Sequence, residues 1–254
     1  MKSVNVAILG ATGVVGEAAI EILAERKFPV KTLFPLASSR SEGATVMFNQ
    51  KPYLVEDVTN FDFSQVEVAI FSAGAEISAI YAPKAAAAGC IVIDNTAQFR
   101  YDTDIPLVVP EVNPQAIEQY KNRGIIANPN CSTIQLVVAL KPISDAVGIT
   151  RINFASYQSV SGAGREGLHE LAEQTAAMLS GQKRKSNVFP LQIAFNLIPQ
   201  IDIFQENGYT KEEMKVVWET QKIFEDDHIM INPTAVRVPV FFGHSEAVHI
   251  ETRE

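Results

Sequence analysis

The sequence predicts an α/β protein in two parts, a doubly wound parallel sheet followed by an α+β region whose sheet is mostly antiparallel. Three observations lead there. Short β-branched runs alternate with helical patterns through the first half. A glycine-rich turn directly follows the first of those runs, and beyond residue 132 the texture changes to longer alternating strands separated by two helices. A chain of 254 residues is long enough for two cores, and the expected parts are residues 1–132 and 133–254.

Val4–Leu9 is the first expected strand, followed by a helix with Val15, Ala19, Ile22 and Leu23 inward. Further strands are expected at Val30–Pro35, Val66–Phe71, Ile91–Ile93 and Ile125–Ala127. Cys131 then opens a helix whose first turn holds Ser132 and Thr133 and whose apolar stripe is Ile134, Val137 and Val138. Residues 149–160 alternate as a strand half open to solvent, with Ile152 and Phe154 inward. Residues 235–252 alternate again through Val236, Val238, Val240, Val248 and Ile250. Between them one helix is expected over about 165–180, with Leu168, Leu171, Ala172, Thr175, Met178 and Leu179 on one face. The other starts at Thr210, where Glu213 completes a capping box, and carries Met214, Val217 and Trp218 inward.

Composition narrows the function classes. With 47% apolar and 20% charged residues the chain reads as globular, and a net charge of −8 without clustered Lys or Arg excludes a general nucleic-acid surface. No apolar run reaches the roughly 20 residues of a membrane span. The opening stretch carries Asn5 and Thr12 and runs into Glu17, so it reads as a strand and loop rather than a signal peptide. Two cysteines, Cys90 and Cys131, make no disulfide framework, which points to a reducing cytoplasm. A small-molecule partner is expected, with no metal.

Gly10-Ala11-Thr12-Gly13-Val14-Val15-Gly16 leaves the first strand and opens the first helix, the context a dinucleotide-phosphate loop requires. Glycines let the backbone approach a pyrophosphate, and the helix N-terminus faces its charge; the alternative is a tight strand-to-helix turn. After the second strand, where an NAD site offers an acid to the ribose, stand Ser38, Ser39, Arg40 and Ser41, which suit the 2′-phosphate of NADP. Ser161, Gly162 and Gly164 form a second glycine-rich helix start, equally readable as an ordinary loop. Cys131 sits where unpaired N–H groups and the positive end of a helix favour thiolate over thiol; the alternative is a small buried cysteine. His244 is the natural proton acceptor for such a thiol, and Arg237 suits bidentate grip on a carboxylate. His169, His228 and His249 read as surface residues. Glu212 and Lys215 share a helix face, by default a solvated one that Glu219 and Lys222 continue.

Together the Gly10–Gly16 loop, Asp94-Asn95-Thr96-Ala97-Gln98-Phe99-Arg100, Asn128-Pro129-Asn130-Cys131-Ser132-Thr133, Tyr157–Gly164, Glu212-Glu213-Met214-Lys215 and Arg237–His244 resemble the aspartate-β-semialdehyde dehydrogenase family in order and approximate spacing. The resemblance implies a Rossmann-like NADP-binding domain and a catalytic and dimerisation domain. It implies reversible conversion of 4-aspartyl phosphate to L-aspartate 4-semialdehyde and phosphate, a step toward lysine, threonine and methionine. By position, Cys131 would be the nucleophile, His244 the acid/base and Gln158 the residue orienting the covalent intermediate. Arg237 and Glu212 would hold the substrate's carboxylate and amine, and Lys215, Arg100 and Asn130 the phosphate. Self-association as a homodimer or homotetramer is implied as well. Relative to that family the sequence stops early, so a fragment or shortened form is expected. The alternatives are N-acetyl-glutamyl-phosphate reductase, which uses a related cysteine mechanism, and a non-catalytic NADPH-binding module.

Overall fold

Strand β1 (Val4–Leu9) runs between two parallel neighbours, so it has no solvent face, and Val6, Ala7, Ile8 and Leu9 are all buried. The structure, a computed structural model, describes residues 2–182 and 185–254. After β1 come α1 (Val14–Glu25), β2 (Val30–Ala37), β3 (Thr45–Phe48), β4 (Lys51–Leu54), β5 (Glu56–Asp57), β6 (Val68–Phe71), α2 (Ala75–Ala87), β7 (Ile91–Asp94) and β8 (Ile125–Ala127). Six of the strands form one parallel sheet in the order β5-β2-β1-β6-β7-β8. The order reverses at β1, which lies beside both β2 and β6, and at such a switch point the loops leaving β1 and β6 part to open a crevice.

One face of the sheet is covered by α1 and by the β3–β4 hairpin, whose Val46 and Phe48 pack with Val6, Ile8, Ile20 and Leu33. The hairpin, absent from the sequence reading, turns at Asn49-Gln50, both at positive φ (48° and 63°), as a two-residue turn matched to strand twist requires. Helix α1 corrects an expectation. Val15 and Ile22 are exposed, while Gly16 and Ile20 are buried and Ala19 and Leu23 pack against the cluster.

The two compact units meet in sequence between Pro129 and Asn130, so the helix opened by Cys131 lies wholly in the second. That unit contains α3 (Cys131–Val147), β9 (Ile149–Gln158), α4 (Gly164–Leu179), α5 (Lys211–Phe224), β10 (Met230–Arg237) and β11 (Ser245–Thr252). Its sheet is ordered β10-β9-β11, and it is mixed rather than mostly antiparallel: β10 runs parallel to β9, and β11 antiparallel. The reason is the long crossover through α4 and α5, which returns the chain to the starting edge of β9 and so makes a parallel pair. The expected run over 235–252 is therefore two strands, β10 and β11, joined by a loop in which Val240 is exposed.

Helices α3 and α5 cover this sheet through Leu136, Leu140, Val216, Ile149, Ile152 and Phe154. The buried stripe of α3 is Thr133, Leu136, Val137 and Leu140; Val138 is exposed, so the expected stripe was displaced by about one position. On α4 the buried positions are Gly167, Glu170, Leu171, Gln174 and Ala177, and Met178 and Leu179 face solvent. Glu170 explains this inversion, since its carboxylate accepts from the Asn187 and Val188 amides and from Gln174 Nε2. Likewise α5 turns Glu212, Val216, Glu219, Thr220 and Ile223 inward and leaves Trp218 exposed. Its capping box forms as expected, with Thr210 Oγ1 accepting from Glu213 N–H and Glu213 Oε2 from Thr210 N–H.

At the start of α1 a Cβ on Gly16 would lie 2.2 Å from Gly10 O, and Gly10 itself holds φ +92°. Helix propensity alone would make Gly16→Ala stabilising by about 1 kcal/mol, whereas a backbone clash of this kind costs about 1–3 kcal/mol. The clash decides: Gly16→Ala is expected to lower the thermal midpoint by several degrees, and an unchanged or raised midpoint in calorimetry would refute the close approach.

Candidate active site

In the N-terminal unit the chain leaves β1 through Gly10 and Ala11, whose N–H groups both donate to Leu36 O at the end of β2 (2.9 and 3.1 Å). This brings the glycine loop against the strand that leads to Ser38, Ser39, Arg40 and Ser41. Gly13 caps α1 without a side-chain acceptor, so the first-turn N–H groups keep the anion-binding capacity of a bare helix N-terminus. Ser38, Ser39 and Arg40 are exposed, and no acid stands among them. The cradle fits a dinucleotide, because only glycine at positions 10 and 16 lets the two backbone turns close upon each other. Arg100, in the same unit, is buried and donates from Nη2 to Asn95 O (3.0 Å).

The second unit gathers the chemistry. Cys131 is the first residue of α3 and is exposed, whereas Cys90 is buried, with its thiol pushed up to about 12 by burial first and then by Glu67. Only Cys131 therefore has a nucleophile's setting. Its Sγ lies 3.2 Å from His244 Nε2. The sheet explains how residues 113 apart meet. Parallel pairing sets Arg237 opposite Gln158 at the last rung of β9 and β10. Antiparallel pairing starts β11 at the same end, with Ser245 opposite Tyr157. His244 precedes β11 by one residue and reaches the tip of α3, while Gln158 Nε2 donates to Ser132 Oγ (2.9 Å) in that helix's first turn.

His244 Nδ1 accepts from the Ser159 amide N–H (3.1 Å), and Ser159 Oγ lies 3.2 Å from the same atom. Burial lowers the imidazole pKa below its usual value, and Arg237 adds to this; the Gly243 backbone and Glu212 act in opposition.

Behind the thiol, Asn130 fixes the helix tip. Its Oδ1 accepts from Ser132 N–H (3.0 Å), its Nδ2 donates to Glu212 Oε1 (2.9 Å), and its own N–H donates to Glu219 Oε2. Glu212 and Lys215 do share a face, but it is a buried one, contrary to the solvated default, and Glu219 is fully buried. Lys215 Nζ bridges Glu212 Oε2 (2.9 Å) and Asp202 Oδ2 (3.1 Å). For Glu212 burial is the largest influence and raises the pKa, yet Lys215, Asn130 and Arg237 together outweigh it and keep the carboxyl ionised. Lys215 is held above the usual ammonium range in the same way: burial opposes, and Glu212 and Asp202 prevail. Arg237 is buried over the Phe189 ring at 5.9 Å and donates from Nη1 to Ser159 O (2.7 Å). A Cβ on Gly162 would approach that nitrogen to 3.0 Å, so Gly162 makes room for the guanidinium.

Thus Cys131, His244, Gln158, Asn130, Glu212, Lys215 and Arg237 form one connected set, with Ser161 and Gly162 beside it. Two contributors, Ser159 and Asp202, went unread in the sequence, and a third, Glu219, was expected on a solvated face but is buried. Ser159 lay in plain view next to Gln158; Asp202, in an irregular segment at φ +69°, gave no local signal.

Residues 5–120 match the family model described as Semialdehyde dehydrogenase, NAD binding domain, and residues 140–254 that described as Semialdehyde dehydrogenase, dimerisation domain. Aspartate-semialdehyde dehydrogenase 2 of Vibrio cholerae serotype O1 is 68% identical over 249 residues, covering 98% of this chain and 74% of that protein. Aspartate-semialdehyde dehydrogenase of Legionella pneumophila is 61% identical over 253 residues, covering 100% and 73%. Among solved structures, aspartate semialdehyde dehydrogenase II from Vibrio cholerae complexed with ASA matches with a TM-score of 0.99 at 66% identity, covering 100% of this chain and 76% of that one. Aspartate semialdehyde dehydrogenase with NADP from Candida albicans matches at 0.75 and 25% identity, covering 100% and 72%.

Glu246, two residues after His244, has a carboxyl raised by burial to about 7, and its Oε1 has no hydrogen-bond partner among the described residues. Because the folded value lies above the unfolded one near 4.3, the folded chain binds more protons between those pH values. Stability therefore falls as pH rises through that window, and the penalty is complete above about 7. Glu246→Gln is expected to raise the thermal midpoint more at pH 8 than at pH 5; an equal change at both would contradict the assignment.

Proposed function

The chain belongs to the aspartate-semialdehyde dehydrogenase family, and from that premise we propose that it interconverts 4-aspartyl phosphate and L-aspartate 4-semialdehyde plus phosphate, with NADP as its nicotinamide cofactor. The observation that carries this reading is the Cys131 Sγ at a helix tip, 3.2 Å from an imidazole nitrogen. NADP rather than NAD is favoured by Arg40 with Ser38, Ser39 and Ser41 at the end of β2, where an acid would otherwise meet the ribose. Gly10, Thr12, Gly13, Val14, Val15 and Gly16 are assigned to its phosphates, and Ser161, Gly162 and Gly164 to further contacts.

In the reductive direction Cys131 Sγ attacks the acyl carbon, the bond from that carbon to the phosphate oxygen breaks, and a thioester remains. Lys215 and Asn130 are assigned to the departing phosphate, with Arg100 proposed for the same anion on the resemblance. A multiply charged leaving group needs such donors. When bound, the nicotinamide supplies the hydride chemistry that links the thioester to the aldehyde level. In the opposite direction Cys131 adds to the aldehyde carbonyl, and His244 Nε2 exchanges the proton of the resulting hemithioacetal hydroxyl. Gln158, locked between Ser132 and Ser156, orients that covalent intermediate. Arg237 is assigned to the substrate's carboxylate, and Glu212, kept ionised, to its ammonium.

The curated relatives favour this reaction over the N-acetyl-glutamyl-phosphate reductase alternative. Self-association as a homodimer is proposed as well. The dimerisation-domain match supports it, as do exposed apolar residues such as Phe195, Leu197, Ile203 and Phe242 in the second unit. No described helix is long and apolar enough to cross a membrane, and neither Cys90 nor Cys131 forms a disulfide; a cytoplasmic location is proposed.

Steady-state absorbance with semialdehyde, phosphate and NADP tests the activity: NADPH must accumulate only when all three are present. In that assay Cys131→Ala is expected to lose at least about a thousandfold in turnover, with NADPH affinity within about twofold. Loss of both would remove the thiol from its assigned role. Lys215→Ala is expected to raise the phosphate KM about tenfold more than the aldehyde KM; equal changes would make it a structural lysine.

A further inference from the structure

We propose that Ser159 is a positioning residue for the acid/base step, presenting a donor and an acceptor to the same nitrogen of His244 so that the ring takes up and releases a proton at Nε2 without turning. The inference rests on the acid/base role given above to His244.

Ser159 N–H lies 3.1 Å and Ser159 Oγ 3.2 Å from His244 Nδ1, a nitrogen with room for one good bond. The amide is a fixed donor. It suits only the neutral ring whose Nδ1 carries a lone pair and whose proton sits on Nε2, facing Cys131. That tautomer cannot accept a proton at Nε2. Both forms that work in exchange, the imidazolium and the neutral ring with a free Nε2 lone pair, carry a proton on Nδ1 and need an acceptor there. Ser159 Oγ supplies it, provided its own proton points elsewhere, and Ser161 Oγ at 2.8 Å takes that proton. The hydroxyl pair is thus set to switch His244 between its resting and working forms.

The other groups around the ring act in both senses. Cys131 faces it from α3, Arg237 from β10 disfavours the charged ring, and Glu212 from α5 and the Gly243 backbone favour it. Glu246 follows on β11. Since Gly243 offers partial substitution, removal of the hydroxyl is expected to weaken proton exchange and not to abolish it.

The test is a pH titration of the 15N-histidine-labelled 254-residue chain by NMR, together with steady-state kinetics. There are four histidines, and the other three are exposed, so His244 is resolved by difference. Ser159→Ala is expected to make His244 roughly tenfold harder to protonate, shifting its titration and the acid limb of the kcat profile about one unit lower. Turnover should drop about tenfold with the aldehyde KM within about twofold, and Ser159→Thr, which keeps the hydroxyl, should restore both. Ser161→Ala should move the titration in the same direction and by less, and it serves as the second variant if Ser159→Ala fails to fold. A His244 titration that superimposes on wild type in Ser159→Ala, or a folded Ser159→Thr that behaves like Ser159→Ala, overturns the proposal. The titration needs no turnover. Wild-type protein inert toward the semialdehyde but with the expected shifts would refute the reaction assigned above and leave the Ser159 contact standing.

Discussion

The contact between Cys131 Sγ and His244 Nε2 is the constraint around which the second unit is organised. A thiol at a helix tip has a favourable field, but it has no proton partner unless a distant segment delivers one. Delivery depends on register. Gln158, Arg237 and Ser245 meet at one end of a three-stranded sheet because β10 is parallel and β11 antiparallel to β9. A slip of one residue would turn Gln158 to the opposite face and withdraw it from Ser132. The mixed sheet is therefore a functional requirement of this arrangement rather than a detail of topology.

The helix tip is in turn held by charge. Asn130 joins Ser132, Glu212 and Glu219 through three hydrogen bonds, so the backbone entering α3 has little freedom to move. Burying Glu212 would ordinarily neutralise it, since an unpaired buried charge is costly by several kcal/mol. Lys215 and the Asn130 amide prevent this, and Asp202 retains Lys215 in turn. The groups proposed to hold substrate thus also support one another, which lets buried charges of both signs persist side by side.

Much of the scaffold was legible in the sequence because its signals are local. β-Branched runs marked the parallel strands, the Gly10–Gly16 loop marked the first crossover, and Thr210 with Glu213 marked the start of α5. Cys131 at a helix start was legible for the same reason. The buried faces were not. Val15, Ile22, Trp218, Met178 and Leu179 are apolar yet exposed, while Glu170, Glu212 and Glu219 are charged and buried. Apolar periodicity misleads where a helix turns a polar network inward. Asp202 and Glu219 bond to residues 13 and 89 positions away, and no local pattern carries that information.

Alkylation of Cys131 by iodoacetamide at pH 7, in wild type and in His244→Ala, probes the central contact most directly. Wild-type Cys131 is expected to react at least about tenfold faster than free cysteine, and His244→Ala to abolish most of this advantage. A thiol that reacts like free cysteine in both proteins would contradict this expectation.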